Sequence, residues 1–304
     1  MNIKPASTLP LVGIYGLGIM GGTMAKALLD HGYKVCGFDV DAKAKNRFKK
    51  YGGQFLAHAS DVAARADILI VSVATSKALE QVTQAIVDGQ HNRKVKTPPI
   101  VIETSTLTMA DKNLCAKALK RVGISALDCP ISGTAVRMQD RAWTIFASGS
   151  KVAYKSVLPV LEVFTDNVPY VGVFGNGTKL KFSANHLVAI YNVAYAESVA
   201  LARKMGVDPR EVLKLFGNSP VLGTGVMRLR MGMMVERKYS PPTMKVEVWQ
   251  KDMEVIGQMA KSVDCPTPMF QTAASIYTAA MAQGLSQEDT ASTAEVFAKM
   301  AGMD

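Results

Sequence analysis

The feature that most restricts the fold is a run near the start of the chain, LPLVGIYGLGIMGGTMAKALLDHG, from Leu9 to Gly32. Its apolar opening, Leu9 to Tyr15, reads as a buried strand and enters Gly16, Leu17, Gly18, Ile19, Met20 and Gly21 without a gap, a GxGxxG pattern. A helix follows at once, because Met20, Met24, Ala27 and Leu28 recur at helical spacing and Gly32 stands where a left-handed cap ends a helix. In such a strand, turn and helix the first glycine permits the tight turn, the second lets the backbone approach a pyrophosphate, and the third lets helix and strand pack closely. The free N–H groups of the first helical turn then face the phosphates. Gly16, Leu17, Gly18, Ile19, Met20 and Gly21 are therefore expected to hold a dinucleotide. Asp39 closes the next apolar run, YKVCGFD, about twenty residues on, where a carboxylate accepts hydrogen bonds from an adenosine ribose. It should repel a 2′-phosphate, so NAD is expected over NADP, with Lys43 and Lys45 nearby keeping NADP open.

The 304 residues suffice for two ordinary domains, each with its own core. An uncharged stretch from Pro5 to Ala25 follows Lys4 in the manner of a signal peptide, but glycines interrupt it between Gly16 and Gly22. No unbroken apolar run approaches a membrane span, so a soluble, cytoplasmic protein is expected. Cys36, Cys115, Cys129 and Cys265 are scattered, without a CxxC pair or a neighbouring His, and read as incidental thiols rather than metal ligands. The net charge of +10 is spread over Lys43, Lys45, Arg47, Lys49 and Lys50, then Arg93, Lys94 and Lys96, then Arg228, Arg230, Arg237 and Lys238. No aromatic interleaving or nucleic-acid motif accompanies these residues, so they read as a solvated surface that attracts small anions.

After Asp39, helices alternate with short apolar runs. Helices are expected over 42–51, 76–87, 109–122 and 151–161, with a short turn at 62–65 and a surface loop at 89–97. Strands are expected in DILIVSVA from Asp67, in PPIVIETST to Glu103, in ISALDCP, in WTIFAS from Trp143 to Ser148, and around 169–173. This rhythm demands parallel pairing with right-handed crossovers, hence an α/β domain built on a mostly parallel, doubly wound sheet. Ligands in such a sheet lie at the carboxyl ends of its strands. The residues leaving those runs are Gly16, Asp39, Ser72 with Thr75, Ser105 with Thr106, and Asp128 to Gly133; Val73, Ala74 and Thr106 are expected to touch the cofactor. Thr108 reads as a helix cap, while Ser105 and Thr106 stay open between ligand and local hydrogen-bonding roles.

The grammar changes after FGNGTK. One long helix is expected over 178–205, then helices over 209–216, 223–231, 245–262, 267–281 and 289–300. The domain boundary is placed at Gly175 to Gly177, which divides the chain into 1–175 and an all-helical 176–304. DCPISGTA ends a strand in a turn whose Ser132, Gly133 and Thr134 offer N–H groups and hydroxyls to a carboxylate, although an ordinary loop has the same composition. Lys181 and Asn185 stand four apart and share one face of the long helix. A lysine partly shielded from water loses basicity and can exchange a proton near neutrality, with the asparagine orienting it; two plain surface residues would show the same spacing. Lys179 would point elsewhere.

GLGIMG at Gly16, DCPISG at Asp128, GNGTKLKFSAN at Gly175 and QKDMEVI at Gln250 resemble, in order and spacing, the β-hydroxyacid dehydrogenase family. That family groups 3-hydroxyisobutyrate dehydrogenase, tartronate semialdehyde reductase and L-threonate dehydrogenase. The resemblance spans nearly the whole chain. It implies a Rossmann domain for NAD or NADP and a helical domain used for dimerisation, as a homodimer or a dimer of dimers. It implies hydride transfer between the nicotinamide and a small carboxylate, with Lys181 as the catalytic acid/base and Asn185 as the closing residue of that motif. Ser132 and Gly133 match the substrate-binding turn, Thr106 the ST motif, and Lys251 with Asp252 the late pair that reaches cofactor and substrate. Three departures leave the substrate open. The turn runs Ser132, Gly133, Thr134, Ala135, Val136, Arg137, Met138 where the family has further glycines, Ala184 replaces an asparagine, and the acid before the ST motif is Glu103. Two other readings share these features: a dinucleotide-binding dimer without catalysis, and imine reduction. A full-sized 6-phosphogluconate dehydrogenase needs a longer helical domain than the roughly 130 residues here.

Overall fold

The computed structural model describes residues 9–135 and 138–303, so Val136 and Arg137 of the turn expected to bind substrate lie outside the described residues. Contacts divide the chain into two units, one ending at Lys181 and the other beginning at Phe182. Each is described by itself.

The first unit opens with β1 (Val12–Tyr15), α1 (Ile19–Asp30), β2 (Val35–Phe38), α2 (Ala42–Lys50) and β3 (Gln54–Phe55). It continues through α3 (Ala59–Arg65), β4 (Ile68–Val71), α4 (Ser76–His91), β5 (Ile100–Glu103), α5 (Met109–Arg121) and β6 (Ser125–Asp128). Short strands β7 (Ile131–Ser132), β8 (Thr144–Ile145) and β9 (Ser148–Gly149) precede α6 (Lys151–Leu161) and the long α7 (Asn176–Lys204). The sheet order is β3-β2-β1-β4-β5-β6-β9, parallel except for β9 at the edge. Strand order reverses between β1 and β4, the switch point at which such sheets bind ligands.

Continuous apolar strands follow from burial on both faces. In β4, Ile68 and Ile70 join one core with α1 and α6, whereas Leu69 and Val71 join a second with α3 and α4. Burying each of these side chains contributes about 1.5–3 kcal/mol, which is why alternation with polar residues is absent. Burial also pushes the Cys36 and Cys115 thiols up to about 11, so both stay protonated and inert.

Three expectations need correction. WTIFAS is not one strand: β8 pairs with β7 in a separate two-stranded ribbon, while β9 pairs antiparallel with β6. Between them Phe146 N–H turns to Pro130 O and Ala147 N–H to Pro169 O, which breaks the ladder. The strand expected around 169–173 reduces to a single bridge between Tyr170 and Ala147. The surface loop at 89–97 begins inside α4, whose Gly89 is buried where a Cβ would lie 2.3 Å from Ser60 O.

Nor is the basic surface simply solvated. The Arg93 side chain is 1% exposed; it donates to Ala63 O, Ala66 O and Thr97 O and pairs with Asp67 at 3.1 Å. It thereby satisfies carbonyls that α3 leaves unbonded at its carboxyl end.

The second unit holds the rest of α7, then α8 (Pro209–Phe216), α9 (Gly225–Glu236), α10 (Val246–Ser262), α11 (Pro268–Ala282), a 3-10 turn (Thr290–Ser292) and α12 (Thr293–Met300). Phe182, Trp249, Met253, Phe270 and Tyr277 form one of its cores and Val199, Met227, Met231 and Met234 another. Polar groups pin the helices where apolar packing alone would let them slide. Asn192 Nδ2 donates to Tyr277 Oη and Thr290 O, and Arg230 pairs with buried Asp289, holding that carboxyl below its ordinary range against the opposing effect of burial. Among the described residues no helix is long and apolar enough to cross a membrane.

Arg93→Ala should lower unfolding stability by about 2 kcal/mol, because it strips partners from several carbonyls at once, whereas exposed Lys94→Ala should stay within about 0.5 kcal/mol. Urea denaturation of the two variants checks this, and equal midpoints would show that Arg93 is ornamental.

Candidate active site

The parallel register sets Tyr15 beside both Phe38 and Val71, Val71 beside Glu103, and Glu103 beside Asp128. The residues that follow each strand therefore gather along one edge of the sheet. There Gly16 has φ +83°, and a Cβ on it would stand 2.1 Å from Ser72 O; one on Gly21 would stand 1.8 Å from Gly16 O. These two glycines are required by the folded chain itself. A Cβ on Gly18, by contrast, would meet nothing within 4 Å. Open space above Gly18 is what a close-fitting phosphate needs.

Helix α1 also lacks a side-chain cap and any acid in its first turn, whereas Asp41, Thr75, Thr108 and Ser150 cap α2, α4, α5 and α6. Its amide donors are left for an anion. The loop is held from both sides at Leu17, whose N–H donates to Asp39 Oδ2 at 2.5 Å and whose carbonyl accepts from Arg47 Nη2 at 2.7 Å. Asp39 Oδ1 accepts from Asp41 N–H. The glycine loop, Asp39 and the uncapped helix thus fit a nicotinamide dinucleotide. Arg47, read in the sequence as one of five solvated charges, is a strut of that loop; nothing in its spacing signals this.

Val73 follows β4 and donates its N–H to Ser105 Oγ at 3.0 Å, while Ser105 N–H reaches Glu103 Oε1 at 2.8 Å. Ser105 is buried and knits adjacent strand ends together through these bonds. Thr106 and Val73 are half-buried at the same edge, Ala74 is exposed, and Thr108 caps α5 as expected.

At the end of β7 Ser132 is half-buried, and in the turn after it Thr134 is half-buried and Gly133 has φ +143°. A Cβ at Gly133 would strike the Trp143 ring at 2.4 Å, and the Trp143 indole N–H donates to Thr134 O at 2.7 Å. The indole braces the turn from beneath, a role its place in an apolar run conceals.

The amino end of α7 is pinned to that same edge. Gly177 N–H donates to Ser148 Oγ, Thr178 N–H to Asp128 Oδ2, and Thr178 Oγ1 to Asp128 Oδ1. A Cβ at Gly177 would lie 2.3 Å from Phe146 O, so only glycine lets the helix come this close. Beneath it, wholly buried Lys112 reaches Glu103 Oε2 at 2.6 Å and Asp128 Oδ1 at 2.8 Å. Burial opposes the Lys112 charge, but the two carboxylates outweigh it and hold its pKa above the ordinary lysine value. Sequence reading singled out neither Lys112 nor Asp128 as partners. One turn beyond Thr178, Lys181 is 8% exposed, while Lys179 is exposed, as its spacing predicts.

In the second unit, Asn185 is buried and donates from Nδ2 to Asp252 Oδ2 at 3.0 Å; Lys251 Nζ lies 3.6 Å from Asp252 Oδ1. Asp252 thus gathers the two residues of this unit expected at the site. Among the described residues there is no cluster of His, Cys, Asp and Glu suited to a metal.

Comparison with known proteins gives a consistent result. Residues 11–172 match the NAD binding domain of 6-phosphogluconate dehydrogenase, and residues 175–297 the family described as NAD-binding of NADP-dependent 3-hydroxyisobutyrate dehydrogenase. Over 289 residues the chain is 30% identical to L-threonate dehydrogenase of Escherichia coli K12, covering 94% of each chain. Over 293 residues it is 30% identical to human mitochondrial 3-hydroxyisobutyrate dehydrogenase, covering 92% of this chain and 84% of that one. The crystal structure of 3-hydroxyisobutyrate dehydrogenase from Salmonella typhimurium is similar with a TM-score of 0.81 at 29% identity, covering 95% of this chain and 100% of that one. An imine reductase from Pseudomonas sp. shares the fold alone, at a TM-score of 0.60 and 20% identity.

The glycines give a paired test. Gly18→Ala should cost no more than about 1 kcal/mol of stability yet weaken NAD+ binding about tenfold or more, since its methyl group meets only the ligand. Gly21→Ala should lose about 2–3 kcal/mol of stability as well, through its backbone collision. Titration calorimetry with NAD+ beside thermal unfolding reads both; a Gly18→Ala protein that binds like its parent would remove the pyrophosphate from this loop.

Proposed function

The chain belongs to the β-hydroxyacid dehydrogenase family and is an NAD(P)-dependent oxidoreductase acting on CH–OH groups; on that premise we propose that its substrate is a small β-hydroxy acid, or the corresponding semialdehyde or keto acid, with Lys181 as general acid/base. The observation that carries the assignment is local to the first unit. Lys181 is nearly buried on the opening turns of a helix whose amino end is tied to the same sheet edge as the glycine loop.

When bound, the cofactor supplies or accepts the hydride. The protein's residues manage the rest. In oxidation the Lys181 amine takes the proton from the substrate hydroxyl as its carbon gives up the hydride, and in reduction the ammonium returns it to the carbonyl oxygen. Ser132, Gly133 and Thr134 are assigned to the substrate carboxylate, with Asn185 and Lys251 as further substrate ligands. Gly16, Leu17, Gly18, Ile19, Met20, Gly21, Asp39, Val73, Ala74 and Thr106 are assigned to the cofactor, and Lys251 to it as well.

NAD is the expected cofactor. The Asp39 carboxylate is held in place by two backbone N–H groups, and fixed negative charge opposes a 2′-phosphate. Lys45 stands over the Phe55 ring at 4.8 Å, a cation–π contact that gives its ammonium another partner. Imine reduction has only a likeness of fold in its favour, whereas the hydroxy-acid reading has whole-chain relatives.

A homodimer is the proposed assembly. Leu187, Tyr191, Ala194, Leu201 and Met205 lie exposed at steps of four, three, seven and four residues along and just past α7, leaving an apolar stripe that a second copy would cover. Sedimentation equilibrium should report two chains or a multiple of two per particle, and Leu187→Glu should shift it toward one; a monomeric parent at micromolar concentration refutes the assembly.

Cofactor-linked absorbance with L-threonate, 3-hydroxyisobutyrate, glycerate, succinic semialdehyde and glyoxylate tests the chemistry. Turnover is expected with at least one of them, with kcat/KM about tenfold or more higher for NAD(H) than NADP(H), and Lys181→Ala should reduce kcat about 10²–10⁴-fold. An alanine variant that keeps most of the activity would overturn the acid/base role, and equal use of both cofactors would overturn the preference.

A further inference from the structure

Lys112 has no place in the chemistry assigned above, yet it is a fully buried charge at the first unit's sheet edge. Its Nζ lies 2.6 Å from Glu103 Oε2, 2.8 Å from Asp128 Oδ1 and 2.8 Å from Thr178 Oγ1. Such an ion cluster is a poor device for stability, because removing charges from water costs about as much as their attraction returns. It does something that apolar residues of the same volume could not. Asp128 accepts both the N–H and the hydroxyl of Thr178, one on each carboxylate oxygen, and Lys112 holds the oxygen that receives the hydroxyl. Ser148 donates to Asp128 O and accepts from Gly177 N–H. Every bond is directional. Rotating or sliding the first turn of α7 would break all of them together.

Lys181 lies three residues beyond Thr178 and four beyond Gly177, so its side chain turns with that first turn. A helix with its side chains has a radius of about 5–6 Å, so a rotation of about 10° displaces a side-chain group by about 1 Å. An error of that size is enough to cost a reaction about 10²-fold. We propose that Lys112, acting through Asp128 and Thr178, is a positioning residue for Lys181, and that this cluster exists to lock the rotation and register of α7. The inference rests on the acid/base reading of Lys181.

The test uses Thr178→Val, which preserves shape and the backbone bond to Asp128 but removes the hydroxyl; Thr178→Ser, which restores it; and Lys112→Met, which removes the ammonium. Steady-state kinetics use whichever panel acid the parent oxidises fastest with NAD+, and calorimetry counts NAD+ bound per chain. Thr178→Val is expected to lower kcat about 10- to 100-fold, with KM for NAD+ within about twofold and the binding stoichiometry unchanged, and Thr178→Ser to recover most of the loss. A kcat that falls only in proportion to NAD+ stoichiometry marks a merely structural role and overturns the proposal, as does a folded Thr178→Val enzyme with parental kcat. If Lys112→Met fails to fold, the threonine variants decide alone. Lys181→Ala is measured alongside. Were it to retain parental kcat, the acid/base reading would fall and the positioning role with it; were it inactive while Thr178→Val matched the parent, only the positioning role would fall.

Discussion

The first unit depends on one buried contact, the Lys112 ammonium between the carboxylates of Glu103 and Asp128. These groups end β5 and β6, and the lysine comes from the helix between those strands. Removing either kind of partner would strand a charge in the interior, at a cost of about 3–5 kcal/mol. The cluster therefore leaves little freedom in how the two strand ends, α5 and the start of α7 are joined. Side-chain oxygens along this edge do the work of a helix cap from a distant part of the chain.

Two helix termini at that edge are treated in opposite ways, and the contrast separates scaffold from binding surface. The amino end of α7 gives its second and third N–H groups to Ser148 and Asp128, so its donors are spent within the protein. The amino end of α1 has no capping side chain, and open space lies over Gly18. An uncapped helix end beside empty volume is unfavourable in the protein alone and favourable with an anion in place. Asp39 and Arg47 keep that end open by gripping Leu17 from either side.

Charge was the least legible property in the sequence. Arg47, Arg93, Arg228, Arg230 and Arg237 all sit in runs that look solvated, yet Arg47, Arg93 and Arg228 donate to carbonyl oxygens and Arg230 and Arg237 pair with Asp289 and Glu295. Lys49, Lys50, Lys94 and Lys96 in the same stretches are exposed. The guanidinium offers several donors in a fixed plane and sheds water more readily than an ammonium, so in these stretches arginine closes off backbone carbonyls while those four lysines stay outside. Composition counts the two alike.

Local chemistry alone determined that a strand, a glycine turn and a helix open the chain, that strands and helices then alternate, and that one long helix ends that alternation. Each of these is written in neighbouring residues, since periodicity, turn chemistry and caps act over a few positions. The same holds for the glycines of that turn and for Asp39 just after β2. Only the folded chain decided that Lys112 is buried in an ion cluster, because its surroundings come from strand ends distant in sequence. It likewise decided that Trp143 braces Gly133, that WTIFAS splits between two sheets, and that the contact division falls after Lys181 rather than before α7, whose first turn bonds to Asp128 and Ser148. These are contacts between residues far apart in the chain, and no pattern of spacing encodes them.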